Sequence, residues 1–297
     1  MIKKKKYLYF LIGLFSLIIM VVISPLRGDY FRIGFLNGSN ICSLAGFSLY
    51  FCYTFYILYK YSGQLPKTHI LLAIFIGGSF FQLPMRIISF YGTYLTFLDY
   101  LIHQLGILIG FLTYVSNKKY RFIIGTVGFI CGIWLSVDGN NMWDNKWNFK
   151  TYTGKVENSE QYKLTFQNPQ GDTLSLANYK GGYVLLDCWY TYCGSCYREF
   201  PGVETLSKKY KDNPSVKIYA LHFRMENEGE NTYTGAKILS ESGFEIPSLS
   251  IDIEDPVMQK IEIPCFPTFL IFDREGKLIF KGNTELAQRL ISKLVKE

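Results

Sequence analysis

The chain has 297 residues, enough for about two domains, and it is 49% hydrophobic, 17% aromatic and 19% charged. Its net charge of +7 is unevenly divided, because residues 1–150 hold 14 Lys and Arg against 4 Asp and Glu, whereas residues 151–297 hold 17 against 20. The basic residues flank apolar stretches and do not cluster on a folded domain, which excludes a nucleic-acid-binding surface.

The cysteine and histidine content narrows the chemistry further. There are seven cysteines, an odd number in which only Cys193 and Cys196 lie close together. A structural disulfide framework has an even number of cysteines at regular spacings. The pattern instead fits one reactive dithiol accompanied by buried single thiols. The three scattered histidines predict that the chain has no metal site.

The first half of the chain is predicted to span a membrane, which takes about 20 mainly apolar residues per helix. Five stretches are long and apolar enough: Tyr7–Ile23, Ile41–Tyr59, Thr68–Ile88, Leu98–Val115 and Phe122–Val137. The first stretch follows four lysines, as the core of a signal peptide would. It is long, however, and no small-residue cleavage site follows it, so an uncleaved helix is predicted.

The positive residues set the predicted orientation, because cytoplasmic loops carry an excess of Lys and Arg. With the N-terminus inside, the inner segments hold nine Lys and Arg and the outer loops hold three. Five spans that begin inside must end outside. The sequence therefore predicts a multi-pass protein of the cell (inner) membrane, with a cytoplasmic N-terminus and an extracytoplasmic, periplasmic second half. One span more or fewer would reverse that location.

Polar side chains fall near the outer ends of the third and fourth predicted spans. They are Gln82, Arg86, Asp99, His103 and Gln104. Ionisable groups inside spans are candidates for function, so one hypothesis is a small-molecule or quinone site. The favoured alternative is a simple pairing of Arg86 with Asp99 at the membrane edge.

The second half has the pattern of an α/β domain. Strands are predicted at 163–167, 173–176, 183–189, 216–223, 248–251, 268–273 and 277–281, and helices at 194–210, 235–242 and 284–295. This alternation predicts a mixed central sheet covered on both faces. The expected organisation is a transmembrane helical domain at 1–137, an extracytoplasmic linker at 138–162 and the α/β domain at 163–297.

The cysteine pair lies where the buried strand Tyr183–Trp189 gives way to the helix that begins near Gly194. Free N–H groups and the helix dipole stabilise a thiolate at a helix N-terminus. Cys193 is therefore the expected nucleophile, and Cys196, one turn further and more buried, is the resolving thiol. Half of a zinc site is the usual alternative for Cys-x-x-Cys, but the chain has no second such pair.

The stretch Trp189–Pro201, WYTYCGSCYREFP, resembles the active-site segment of thioredoxin-like proteins. Its Cys-x-x-Cys-x-x-Glu-Phe-Pro form is similar to that of TlpA-type membrane-anchored thiol–disulfide oxidoreductases. Ile263–Thr268 is similar to the family's loop with a cis-proline before a threonine. The resemblance covers residues 163–297. It implies a thioredoxin-like enzyme that uses a redox-active disulfide, Cys193–Cys196, and no bound cofactor.

The resemblance also implies roles for the residues around the dithiol. Asp187 matches the buried acid that assists proton transfer at the second thiol in thioredoxins, although TlpA-type relatives often have Asn there. Glu199 matches an acidic residue that tunes the dithiol. The expected substrate-binding residues are Trp189, Phe266, Pro267 and Thr268.

Simpler structural explanations accompany several of these residues. Trp189 could be an ordinary core residue, and Glu199 a solvated residue on a helix face. His222 ends an apolar strand and is expected to be packed or surface-facing. Cys188 and Cys265 are explained most simply as small buried apolar residues, with a redox contact of Cys265 to the nucleophile as a further hypothesis.

The direction of electron flow is predicted from the groups near the dithiol. The Gly-Ser dipeptide lacks the His of strongly oxidising relatives, and Asp187 and Glu199 disfavour a very low thiolate pKa. Both features predict a reductant for extracytoplasmic protein disulfides, recharged by a membrane electron donor. A relay within the chain would require Cys52 and Cys131 to lie within about 7 Å between Cα atoms, and it is the less favoured hypothesis.

Two other function classes are compatible with the sequence. A thiol peroxidase shares the fold and needs a Thr and a Pro ahead of the reactive cysteine; Thr191 is present, but no nearby upstream Pro is. The other class is a membrane transport, assembly or electron-relay subunit whose redox domain only senses or docks.

Overall fold

Helices make up the first half of the chain, and a seven-stranded sheet organises the second. The computed structural model describes residues 2–28, 31, 33, 36–157 and 161–296. The chain divides into two compact units, Met1–Trp143 and Asp144–Glu297. The domain limits expected from the sequence, 137 and 163, lie on either side of this division.

The helices up to residue 149 follow the apolar stretches of the sequence. They are α1 Ile2–Ile23, α2 Gly38–Tyr61, α3 Lys67–Ser79, α4 Gln82–Ile88, α5 Phe90–Thr93, α6 Phe97–Val115, α7 Lys118–Trp134 and α8 Asn140–Phe149. Short 3₁₀ turns at Ser24–Arg27 and Tyr94–Thr96 and a π-helical turn at Leu135–Gly139 extend their neighbours.

Four helical stretches are long and apolar enough to cross a membrane: Lys3–Arg27, Gly38–Tyr61, Phe90–Val115 and Lys118–Phe149. The α3–α4 pair also passes this test but is bent by 58°. If the pair is one broken span, the count is the predicted five. The predicted class of apolar membrane helices followed by an α/β domain is confirmed.

The third predicted span is not the straight helix expected from Thr68–Ile88. It breaks between Ser79 and Gln82. Pro84 lies in the first turn of α4, and a proline has no N–H to donate and clashes with the carbonyl four residues earlier, here that of Phe80. A proline is tolerated near the start of a helix, so the chain begins a new helix at a different angle.

The polar stretch Asp138–Asn141 is helical, although the sequence predicts the start of a linker there. Its asparagines have partners inside the first unit: the Asn140 amide donates to Ser43 Oγ at 2.7 Å. The Asn141 side-chain oxygen accepts from the side-chain amide of Asn40 at 3.3 Å. These long-range hydrogen bonds offset the low helix propensity of asparagine.

Asp99 is paired, but not with Arg86 as predicted. Its carboxylate, 2% exposed, forms an ion pair with Arg27, accepts from Ser43 at 2.7 Å and lies 3.1 Å from His103 Nε2. Arg86 donates to the Thr96 carbonyl at 2.7 Å instead. The predicted pairing is wrong because Arg27, 72 positions away in sequence, is brought beside the first turn of α6 by the packing of the helices.

The second unit is built on one mixed sheet. Its strands are β1 Thr165–Gln167, β2 Thr173–Ser175, β3 Tyr183–Trp189, β4 Val216–Arg224, β5 Ser248–Asp252, β6 Thr268–Phe272 and β7 Leu278–Gly282, in the order β2-β1-β5-β4-β3-β6-β7. The three inner strands β5, β4 and β3 run parallel, and the others pair antiparallel. The predicted mixed sheet is confirmed.

Helices cover both faces of this sheet: α9 Gly194–Tyr210, α10 Thr234–Glu241, α11 Pro256–Ile261 and α12 Thr284–Leu294. Helix α11, which the sequence pattern does not predict, is short and is capped by Asp255. Strand β3 contributes to both cores, with Leu185 and Trp189 on one face and Leu186 and Cys188 on the other. Its carboxyl end, buried on both sides, is a rigid base for the loop that carries the cysteine pair.

Candidate active site

The cysteine pair forms the disulfide that the sequence predicts, at the junction of β3 and α9. The Cα atoms of Cys193 and Cys196 are 5.3 Å apart. Cys193 is the N-cap of α9, and its sulfur accepts a hydrogen bond from the Cys196 backbone N–H at 3.1 Å. Cys193 keeps 3% exposure and Cys196 has none, so the first cysteine is the less enclosed of the two.

Ser195, between the two cysteines, joins the helix start to the proline loop. Its hydroxyl donates to the Phe266 carbonyl at 3.1 Å and lies 3.3 Å from Cys193 Sγ. In the sequence, Ser195 is notable only as part of the Gly-Ser dipeptide between the cysteines. The contact spans 71 residues, and no local signal indicates it.

The loop before β6 contains the cis peptide bond expected from the family pattern, Phe266–Pro267. Phe266 is half-buried, with its ring 5.0 Å from that of Tyr190 and 5.1 Å from that of Phe223. Thr268 is fully buried, and its hydroxyl donates to the Cys265 carbonyl at 2.6 Å. Phe266 and Pro267 are thus the accessible members of the predicted substrate site.

Trp189 lies beneath the active-site loop and not at its surface. The side chain has no exposed area, and its ring packs 5.1 Å from Phe200, 6.1 Å from Tyr197 and 4.6 Å from His222. The predicted substrate contacts of Trp189 and Thr268 would need surface that neither side chain has. Trp189 is therefore best explained as an ordinary core residue.

Asp187 is fully buried in β3, two residues before Trp189 and on the same side of the strand. Neither of its carboxylate oxygens has a hydrogen-bond partner among the described residues. Burial raises the pKa of Asp187 well above its usual value, and the negative charge of half-buried Glu199 raises it further. An acid held in this way carries a proton at higher pH than a solvated aspartate, as a group that exchanges protons near neutral pH must.

A second group of polar residues, which sequence analysis did not assemble, holds the loop from the other side. We call it the Thr191 network; its members are Thr191, His222 and Glu230. Thr191 Oγ1 lies 3.0 Å from His222 Nε2 and donates to Glu230 Oε1. The second Glu230 oxygen accepts from the Met225 backbone N–H at 2.7 Å. Of the two expected positions of His222, packed or surface-facing, the structure has the first, since the residue is fully buried.

The protonation of the Thr191 network follows from its hydrogen bonds. Burial lowers the pKa of His222 to about 4; Glu230 opposes this shift and Arg224 adds to it. The imidazole is therefore neutral near pH 7. The threonine hydroxyl gives its one proton to the carboxylate, so Nε2 of His222 must carry the hydrogen that points at Thr191.

The remaining cysteines are not disulfide-bonded. Cys52 and Cys131 are exposed on their helices, and Cys42 and Cys188 are buried. Burial raises the pKa of the Cys188 thiol, as does neighbouring Asp187. Cys52 and Cys131, which the relay hypothesis would bring together, are not bonded to each other.

One group of side chains in the first unit has the chemistry of a metal site. One ligand atom each from Cys42, Asp99 and His103 lies within 4.8 Å of the others, and all three residues are buried. The Arg27 guanidinium already forms an ion pair with the Asp99 carboxylate, so a fixed cation balances the acid. The expectation that the chain holds no metal and no cofactor beyond the disulfide stays a prediction.

Comparisons with known proteins agree with the geometry of the second unit. Residues 156–293 match the family model described as Redoxin. The C-terminal half of this chain is a redoxin domain. The fold and the TlpA-like resemblance inferred from the sequence are confirmed for this half.

Curated proteins that are similar to the redoxin domain include thiol-disulfide oxidoreductases. Thiol-disulfide oxidoreductase ResA of Geobacillus kaustophilus is 27% identical over 162 residues, covering 54% of this chain and 87% of that protein. ResA of Bacillus subtilis is 26% identical over 123 residues, covering 41% and 65%. The solved thioredoxin domain of a thiol-disulfide oxidoreductase from Bacteroides vulgatus is 25% identical, covers 48% of this chain and 97% of its own, and has a TM-score of 0.40.

The enzyme class predicted from the sequence, thiol–disulfide oxidoreductase, is confirmed by these relatives together with the Cys193–Cys196 disulfide. The first unit adds four apolar helices that are long enough to cross a membrane, or five if the bent pair is one span.

Proposed function

We propose that this protein reduces disulfides in extracytoplasmic proteins, with its redoxin domain on the non-cytosolic side of the membrane. The observation that carries the proposal is the position of Cys193 at the start of α9, where its sulfur accepts the Cys196 N–H beside the partly exposed Phe266–Pro267 loop. A negative charge on that sulfur is stabilised by the helix N-terminus.

In the first step, the reduced enzyme uses the thiolate of Cys193, the less enclosed of the two cysteines. Cys193 Sγ attacks one sulfur of the substrate disulfide, an S–S bond forms between enzyme and substrate, and the other substrate sulfur leaves as a thiolate. The half-buried Phe266 and Pro267 lie beside the dithiol through the Ser195 hydrogen bond, so an extended substrate segment would lie against them.

In the second step, the buried thiol releases the substrate. Cys196 gives its proton to the Asp187 carboxylate and attacks Cys193 Sγ, which re-forms the disulfide and frees the second substrate thiolate. Because burial raises the pKa of Asp187, its carboxylate is a stronger base than an ordinary aspartate. A membrane electron donor must then supply two electrons to the disulfide before the next cycle.

The reducing direction is supported by the charges around the dithiol. Gly194 and Ser195 place no positive group between the cysteines, and both Asp187 and Glu199 are acids. Nearby negative charge disfavours the thiolate. A strong oxidant is one whose reduced, thiolate form is stabilised, so these acids favour a reductant.

The extracytoplasmic location is supported by the lysines and by the bent α3–α4 pair. If that pair crosses the membrane, Lys60 and Lys67 before it and Lys118 and Lys119 after α6 lie on the same side as the N-terminal lysines. If it turned back, Lys118 and Lys119 would lie on the opposite side. The positive-inside rule favours the crossing, and the redoxin domain is then outside.

Trapping in cells tests the proposal. In a Cys196→Ala variant the second step cannot occur, so we expect substrates to accumulate on Cys193 as mixed disulfides with extracytoplasmic proteins, identified by mass spectrometry. The Cys193→Ser, Cys196→Ala double variant is the matched control and should trap nothing. Capture of cytosolic proteins alone, or a parent enzyme held mainly oxidised in cells, would contradict the proposed location or direction.

The two alternative functions make different use of the same residues. In a peroxidase, Thr191 would serve the reactive sulfur, but here its hydroxyl is committed to His222 and Glu230. A sensing or docking subunit of a transport or assembly complex would keep its phenotype in the Cys193→Ser variant. The proposed reductase would lose it.

A further inference from the structure

The Thr191 network is centred on Thr191, which lies two positions before the nucleophile Cys193. Thr191 belongs to the loop between β3 and α9, His222 to the inner strand β4, and Glu230 to the loop that follows β4. One hydroxyl therefore joins the active-site loop to a fixed strand and to a second loop. The side chains of His222 and Glu230 are 0% and 7% exposed, so water cannot readily replace these hydrogen bonds.

Each partner of Thr191 is itself held in place. The His222 ring packs against Trp189, and Gly235 of α10 lies so close that an added Cβ would be 2.6 Å from His222 Cβ. Glu230 is fixed through its second oxygen by the Met225 N–H. Neither partner can follow a loop that moves away.

The backbone of Thr191 is held as well as its side chain. Tyr197, on the first turns of α9, donates its hydroxyl proton to the Thr191 carbonyl at 3.0 Å. The Cys193 N–H in turn donates to the Tyr190 carbonyl at 3.0 Å. The segment from Tyr190 to Cys193 is thus bonded on one side to its own helix and on the other to β4 and the Glu230 loop.

We propose that Thr191, His222 and Glu230 are positioning residues for Cys193, which hold its sulfur at the N-cap of α9 where the thiolate is stabilised. The chain of hydrogen bonds runs from His222 Nε2–H to Thr191 Oγ1 and from Thr191 Oγ1–H to the Glu230 carboxylate. None of the three touches the reacting sulfur. They act through the backbone of residues 191–193.

This role predicts that the network affects the thiolate and not only the stability of the fold. If the Thr191 hydroxyl is lost, the loop is held by fewer bonds and the Cys193 sulfur departs from the Cys196 N–H. Less stabilisation of the anion raises the pKa of the Cys193 thiol. A single hydrogen bond contributes about 1 kcal/mol, so the fraction of thiolate below that pKa falls about fivefold.

The test measures the Cys193 thiolate directly. It uses the full-length chain in detergent, with Cys196→Ala as the common background, and follows alkylation of Cys193 by iodoacetamide across pH by peptide mass spectrometry. We expect Thr191→Val to alkylate about fivefold more slowly near pH 6 than the background, with its pH profile moved to higher pH. Thr191→Ser, which keeps the hydroxyl, should restore the profile to within about twofold.

Two further variants keep the test decisive if Thr191→Val folds poorly. Glu230→Gln keeps an acceptor oxygen for Thr191 and should leave most of the rate, whereas Glu230→Leu removes the acceptor and should behave like Thr191→Val. Thr205→Val is the matched control, since that exposed hydroxyl donates only to Pro201 within α9, and it should have no effect. Equal pH profiles for Thr191→Val and Thr205→Val would overturn the proposal, as would a Thr191→Ser variant as slow as Thr191→Val.

The inference rests on the proposed function in one respect, that Cys193 is the reacting thiol. The readout requires no protein substrate and no electron donor. Failure of the trapping experiment would therefore leave the thiolate measurement intact, and an unchanged thiolate would leave the reductase proposal intact.

Discussion

Asp187 shows how a single side chain can lower the stability of this domain and still be useful to it. The residue is fully buried on β3, and neither of its carboxylate oxygens has a hydrogen-bond partner among the described residues. A buried, unpartnered carboxylate is among the most costly groups that a core can hold. The raised pKa expresses the same cost, because the folded protein holds the proton more tightly than the unfolded chain does.

Replacement of Asp187 by Asn is expected to stabilise the domain in a pH-dependent way. Between the ordinary aspartate pKa, about 3.9, and the raised pKa of the folded state, the folded protein binds more protons, so its stability falls as pH rises. Asp187→Asn removes that fall. We expect parent and variant to match near pH 4 and the variant to be more stable by about 1–3 kcal/mol at pH 8.

The measurement is urea unfolding of the detergent-solubilised chain, reported by alkylation of Cys188, which is fully buried in β3 and reacts only when the redoxin domain opens. The variant should also resolve the mixed disulfide with its substrate more slowly, since its amide cannot take the Cys196 proton. A stability difference that does not change with pH would contradict the assignment.

At the scale of elements, helices that are far apart in the sequence are held together by ion pairs and hydrogen bonds between their ends. Arg27 ends the turn that follows α1, and Asp99 lies in the first turn of α6. Their ion pair, with Ser43 from α2 as a third partner, ties the ends of three apolar helices together. Within apolar surroundings such a pair specifies which helix ends meet, because each charge is costly without the other.

Arg27→Met is expected to destabilise the helical unit by about 2–4 kcal/mol, because it leaves Asp99 buried without its cation. The expected loss is somewhat smaller than for a fully buried pair, because the Arg27 side chain is 25% exposed. The double variant Arg27→Met, Asp99→Leu should recover most of the loss. Lys60→Met is the matched control, since Lys60 is an exposed cation at the end of α2.

The readout is maleimide labelling of Cys42, a fully buried thiol next to the pair, during thermal unfolding in detergent. Equal labelling of the Arg27→Met and Lys60→Met variants would show that the pair does not hold these helices together.

At the scale of the whole molecule, the location of the redoxin domain depends on whether the bent α3–α4 pair crosses the membrane. We expect a protease added outside intact spheroplasts to remove a C-terminal tag from the parent protein. Deletion of residues 67–88 should protect the tag by moving it to the cytosol. Replacement of the same residues by a straight apolar helix of 22 residues should leave the tag accessible. A protected tag in the parent would place the redoxin domain inside.

Local signals in the sequence account for what could be predicted of this fold and site. The Cys193–Cys196 pair, the strand before it and the helix after it are contiguous, and the turn Arg274-Glu275-Gly276 joins neighbouring strands. The Arg27–Asp99 pair and the Thr191 network join residues far apart in the chain. Their partners depend on how helices and strands pack, so no pattern in the sequence could select them. The break before Pro84 has a local cause, a proline in the first turn of a helix. The apolar residues on both sides of Pro84 nevertheless predict one continuous span.

Cys188 lies five residues before the nucleophile, yet burial and the adjacent Asp187 keep it as a thiol. Burial likewise raises the pKa of Cys265, beside the proline loop. Since thiolates exchange with disulfides much faster than thiols do, the raised pKa values disfavour an attack by Cys188 or Cys265 on a captured substrate. The enclosure of these two thiols thus lowers the risk that the domain cross-links its own spare sulfurs during a catalytic cycle.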